Sequence, residues 1–135
     1  MVAKLLIEHR YNYIDTKLWG DTMAEMEKSI ADFQDTMEVL SKESREAMHH
    51  FRAFMDCVLA KKVLDTKTKE LIALGTAITA RCKYCIAIHV KKAIAAGATR
   101  EEILEAATVS ILMGGGPALT YVTEVKKALN EFMPK

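Results

Sequence analysis

Cys82-Lys83-Tyr84-Cys85-Ile86-Ala87-Ile88-His89 concentrates reactive groups as nothing else in this chain does. Two cysteines are separated by two residues, and a histidine follows the second at i+4. On a helix these three positions fall on one stripe. Thiols at i and i+3 can close a disulfide with little backbone movement. An imidazole one turn further on can take or give the proton that controls thiolate formation. The chain shows no sustained period-two alternation, and Gly97 stands as the C′ residue of a helix. The segment therefore opens a helix that runs to about Ala96, and a thiolate at a helix N-terminus is stabilised by the helix dipole.

The rest of the chain reads as helices on either side. At 135 residues, with 50% apolar and 27% charged residues, the length and composition fit one soluble globular domain. The net charge of +1 gives no electrostatic case for nucleic acid or for an anionic membrane. The apolar run Leu71 to Ala80 is too short to span a bilayer, and Leu5-Leu6-Ile7 is too short for a secretory signal, so the expected compartment is the cytoplasm. There, a CxxC pair points to catalysis or metal binding before a structural staple. Cys57, alone in an apolar helical pattern, is expected to be a buried core thiol.

Residues 1–17 read as an arm or short helix packed on the body. Thr22-Met23-Ala24-Glu25 has the form of a capping box. Around it Trp19, Met23, Met26, Ile30, Phe33, Met37 and Leu40 alternate spacings of four and three. That is a seam, which either packs lengthwise on its own domain or binds a neighbouring subunit. Ser41 or Ser44 can cap a second helix whose apolar face is Met48, Phe51, Phe54, Met55, Val58 and Leu59. His49 and His50, adjacent on it, diverge and cannot chelate one metal together. Asp65 caps a third helix with Leu71, Leu74, Ala77 and Ile78 as its stripe, and Thr99-Arg100-Glu101-Glu102 caps a fifth. Gly114-Gly115-Gly116 makes a corner, with Pro117 in the first turn of a sixth helix. No lysine follows the glycines and no strand precedes them, so they are not a phosphate loop. The prediction is all-α: a single domain, 1–135, of about six helices.

Glu70 falls on the edge of the third helix's buried face, where an unpartnered carboxylate is costly. If the third and fourth helices form an antiparallel hairpin turning near Thr79-Ala80, Glu70 and His89 are equidistant from the turn. Helix axes ~8–10 Å apart let the two side chains meet, directly or through a water. The pattern supports a relay in which Glu70 orients His89, His89 acts as base, and a thiol of the Cys85/Cys82 pair becomes a thiolate. Three readings of the cysteines remain: a redox dithiol, a metal site, or incidental core thiols. Structural zinc wants four ligands, and no second CxxC or HxxxH exists. A thioredoxin-type site would follow a strand.

These residues resemble the carboxymuconolactone decarboxylase-like superfamily, and within it the alkylhydroperoxidase D-type branch. The resemblance covers about 63–132. It rests on Leu64-Asp65-Thr66-Lys67-Thr68-Lys69-Glu70-Leu71-Ile72, on Cys82/Cys85/His89, on Gly97-Ala98-Thr99-Arg100-Glu101-Glu102-Ile103, and on the triple-glycine corner. In that branch a Glu twelve residues before the first Cys and a His four after the second complete the relay, and Glu70, Cys82, Cys85 and His89 match those spacings. Where such proteins can carry a His between the cysteines, this chain has Tyr84, which leaves the substrate open. The resemblance implies a trimer or hexamer with thiol-dependent peroxidase or disulfide-reductase activity. It implies a hydroperoxide substrate, an external dithiol reductant, and no metal or organic cofactor. Cys85 is then the thiol next to the base, and Cys82, nearer the helix start, exchanges with the reductant; the dipole argues for the inverse. The rivals are a lactone decarboxylase-like enzyme using His89 and Glu70 as acid and base, and a non-catalytic helical module built on the Trp19–Leu40 seam.

Overall fold

Local capping decides where the helices begin. The computed structural model describes residues 25–135, and the readings made above for residues 1–24 lie outside them. Five helices follow one another: α1 Glu25–Glu43, α2 Arg45–Leu59, α3 Thr66–Thr79, α4 Lys83–Ala95 and α5 Arg100–Phe132, with no strand among the described residues. Asp65 caps α3 by accepting the Thr68 N–H at 2.7 Å. Thr99 and Glu102 form the expected capping box at the start of α5. Ser44 stands at the N-cap of α2, but its side chain makes no capping bond. The expected fifth and sixth helices are two limbs of α5, broken at Gly115, whose φ of 63° and ψ of −149° suit glycine. Pro117 enters the second limb in its first turn, where the missing N–H has no partner to lose.

The α3–α4 turn carries the site. The Cys82 N–H donates to Ala77 O at 3.0 Å and the Arg81 N–H to Ile78 O at 3.1 Å, a Schellman closure of α3. Its left-handed residue is Arg81, φ 59°, where glycine is usual. The same closure at the end of α4 uses Gly97, φ 90°. A side chain in that conformation costs about 1–2 kcal/mol.

α3 and α4 pair as an antiparallel hairpin, and α5 packs across both. Leu74, Ile78, Ile86, Val90, Ile103 and Leu129 are fully buried where the three meet. α5 is long and apolar enough to cross a membrane by length and composition, and residues 106–123 carry no charge. In this fold its Ile103, Ala107, Ala118, Val125 and Leu129 face the core.

α1 lies over α4 and α5, with Met26 and Ile30 of its seam in the same core and Leu40 exposed. Its first described turn is capped from a distance. The Met26 N–H lies 3.0 Å from Glu131 Oε1, and the Glu27 N–H donates to Glu131 Oε2 at 3.0 Å. Around that cap Lys83 pairs with Glu25, Lys127 with Glu25 at 3.1 Å, and Lys91 with Glu27 at 2.8 Å. The hydrogen bond from Lys83 holds the Glu25 carboxyl below the usual carboxylate range, against the opposing effect of burial. A carboxyl depressed by folding stabilises the fold at neutral pH, and that contribution is lost as pH falls through its folded pKa.

α2 departs from expectation. It buries no residue, and Phe51, Phe54 and Val58 of its apolar face are exposed. Cys57 is therefore exposed and not a core thiol, because α2 packs mainly on α1 and barely touches α3.

Replacing Glu131 by Ala should lower the unfolding free energy by about 1–2 kcal/mol, the usual worth of a helix cap. Glu131→Gln, which keeps an acceptor oxygen, should recover part of it. Urea denaturation of the three proteins measures this; coincident midpoints would remove Glu131 as a cap.

Candidate active site

Cys82 is the N-cap of α4, with extended backbone (φ −99°, ψ 95°), and its sulfur accepts the Cys85 N–H at 3.2 Å. The cysteine pair thus straddles the start of the helix and does not lie wholly inside it. The two sulfurs are joined as a disulfide, with Cα atoms 5.2 Å apart. Both residues are half-buried, and Cys85 packs against the core. Tyr84 between them points its bulk to solvent.

Glu70, on α3, has a side chain only 4% exposed; His89, on α4, is 21% exposed. Glu70 Oε2 and His89 Nδ1 are 2.7 Å apart. The hairpin register brings the two residues into direct contact, with no need of a bridging water. An ionised carboxylate would accept from Nδ1, which in a neutral imidazole leaves the lone pair on Nε2. Nε2 has no protein partner among the described residues. Cys85 and His89 are one turn apart on the same face of α4, a spacing of about 5–6 Å between Cβ atoms.

A second layer of charge was not legible in the sequence. Lys83, between the cysteines, is held by Glu25 of α1. Glu25 also pairs with Lys127, which binds Glu124 at 3.1 Å. The other oxygen of Glu124 is buried without a hydrogen-bond partner among the described residues. These pairs span up to about a hundred residues of sequence and carry no local signature. His49 and His50 lie exposed on α2, their rings edge-on at 5.6 Å. Among the described residues no three His, Cys, Asp or Glu side chains group as metal ligands.

Two grooves open on the surface. One, of about 520 Å³, runs between α3 and the first limb of α5 past Gly75, Thr79, Val109 and Met113. It follows the face of α3 turned away from Glu70. The other, of about 400 Å³, lies between α1 and α4 and is lined by Ile30, Phe33, Gln34, Ile88, Lys91, Lys92 and Ala95.

Known proteins resemble this chain in sequence and fold. The model of the carboxymuconolactone decarboxylase family matches residues 45–128, which include α2 as well as the core. An uncharacterized protein of the cox locus of Paracoccus denitrificans is 40% identical over 81 residues, 60% of this chain and 73% of its own. A carboxymuconolactone decarboxylase family protein from Legionella pneumophila matches in structure with a TM-score of 0.79 and 35% identity, over 83% of this chain and 99% of that one. Another member, from Thermotoga maritima, for which a part in the antioxidative response has been suggested, matches with a TM-score of 0.70 and 28% identity, over 77% of this chain and 88% of its own.

Bonding separates the three cysteines: Cys82 and Cys85 are joined, and Cys57 is free and exposed. Iodoacetamide added to the native, oxidised protein should label Cys57 alone. After reduction, Cys82 and Cys85 should become labelled as well. Peptide mapping reads both states, and a disulfide containing Cys57 in native protein would refute the pairing.

Proposed function

The chain belongs to the carboxymuconolactone decarboxylase family, and within it we propose a thiol-dependent peroxidase that cycles the Cys82–Cys85 pair. The observation that carries this reading is the direct Glu70–His89 contact one helical turn from a cysteine pair close enough to bond. The antioxidative role suggested for the Thermotoga maritima relative agrees with it.

In the reduced enzyme His89 Nε2, its ring oriented by Glu70, takes the proton of a thiol, and Cys85 is the thiol within reach on its face. The thiolate attacks one oxygen of a hydroperoxide. The O–O bond breaks, the sulfur becomes a sulfenic acid, and the leaving alkoxide takes a proton to depart as an alcohol. Cys82, at the helix N-terminus where a thiolate is favoured, attacks that sulfur. An S–S bond forms and the sulfenic oxygen leaves as water. An external dithiol then reduces the disulfide by exchange, giving up two electrons and two protons. A cytoplasmic setting, where such dithiols are kept reduced, belongs to the same reading.

We also propose that the enzyme works as a homo-oligomer, a trimer or hexamer, held by α2 of one copy against another copy. α2 is amphipathic and buries nothing in its own chain. The face beside the α3–α5 groove exposes Ile72, Val109, Leu112 and Met113. Light scattering should return a multiple of the 15.1 kDa chain mass, and Phe54→Glu should shift it toward the monomer. A monomeric parent protein at micromolar concentration would end this part of the reading.

Glu70→Gln tests the relay. It keeps the shape but removes the counter-charge of the imidazolium that forms on proton transfer. Alkylation of the reactive thiol should slow at pH 7 and its pH profile should move upward. His89→Gln should do the same or more, and the double mutant should be little worse than the worse single one. If neither substitution moves the profile, the helix N-terminus alone activates the thiol. Full activity after both thiols are blocked would favour acid–base decarboxylation by His89 and Glu70.

A further inference from the structure

The groove between α1 and α4 adjoins the reactive stripe. Ile88, on its floor, lies three residues past Cys85, and Lys92, on its rim, three past His89. At 100° per residue Cys85, His89 and Lys92 fall on one face of α4, and Ile88 and Ala95 border that face. Ile30 and Phe33 of α1 close the far wall. The result is an apolar trough that starts one turn from the thiols.

Its two lysines differ. Lys91 is held by both oxygens of Glu27 at 2.8 Å and sits over the Phe132 ring. Lys92 is exposed and has no acidic partner among the described residues. The Gln34 side chain adds an amide on the opposite rim. A trough with apolar walls and one unneutralised ammonium fits an apolar chain ending in a carboxylate, and its volume is in the range of small-molecule sites.

We propose that this trough binds the substrate of the cysteine pair, and that the substrate is an apolar hydroperoxide bearing a carboxylate, of the size of a medium-chain fatty acid. The proposal rests on the thiol chemistry above for what the trough serves. Its binding test does not, because it is made on the oxidised protein without turnover.

The probes are octanoate and octan-1-ol, followed by NMR titration of the Ile30 and Ile88 methyl groups. Octanoate should move both signals and bind about tenfold more tightly than octanol, the worth of one charge-assisted hydrogen bond. Lys92→Gln should remove that preference and leave octanol binding unchanged. Ala95→Phe, which fills the trough, should abolish binding of both. Equal affinity for the two probes would overturn the proposal, as would unmoved Ile30 and Ile88 signals. Lys92 also stands in the last turn of α4, where a cation suits the helix dipole. If Lys92→Gln lowers the melting temperature but keeps the octanoate preference, that is its whole role and the proposal fails. In the reduced protein, saturating octanoate should slow alkylation of Cys82 and Cys85 several-fold. Binding without protection would cut the trough off from the thiols and refute its assignment as their substrate site.

Discussion

A carboxylate taken out of water costs several kcal/mol unless a charge or a set of donors meets it, and Glu70 is almost wholly enclosed. The α3–α4 hairpin is arranged around meeting that cost. His89 supplies the donor at 2.7 Å, and it can do so only in one register of the two helices. The Schellman closure at Ala77, Ile78, Arg81 and Cys82 sets that register. The same turn delivers Cys82 to the start of α4. Packing and register around the cysteine pair therefore hang on one buried Glu70–His89 contact. The strain of Arg81 in a left-handed conformation is tolerated within it.

Much of this could be read in advance because its signals are local. Asp65, Thr99 with Glu102, and Gly97 each cap a helix through residues within a few positions, and each stands where the pattern says. The Glu70–His89 contact was legible too, since a tight hairpin makes equidistance from the turn a spatial rule. What escaped depends on how distant segments cross. Amphipathic spacing shows that α2 has an apolar face but not what covers it, so Cys57 was misplaced. Which seam residues of α1 enter the core likewise depends on its crossing over α4 and α5, which buries Met26 and Ile30 and leaves Leu40 exposed. The Lys83–Glu25 pair and the trough beside Lys92 arise from that crossing as well.

Membership of a family named for a decarboxylase does not carry that reaction to this chain. A fold hosts a reaction only through the residues it brings together, and in this chain the α3–α4 hairpin sets Glu70 against His89. Two cysteines stand beside that contact, one of them at a helix start. Tyr84 and the charged layer of Lys83, Glu25, Lys127 and Glu124 then shape the surroundings of that pair.

The cap that Glu131 places on α1 has a consequence for how the chain is made. The carboxylate and the Met26 N–H it accepts are 105 residues apart. A ribosome adding about 5–20 residues each second leaves α1 without its cap for roughly 5–20 s after Met26 has been added. Met26 and Ile30 have no finished core to enter until the second limb of α5 emerges. Until then the apolar face of α1 lacks the part of its core that α5 supplies. The last turns of α5 then complete the core and the oldest described helix in a single late step.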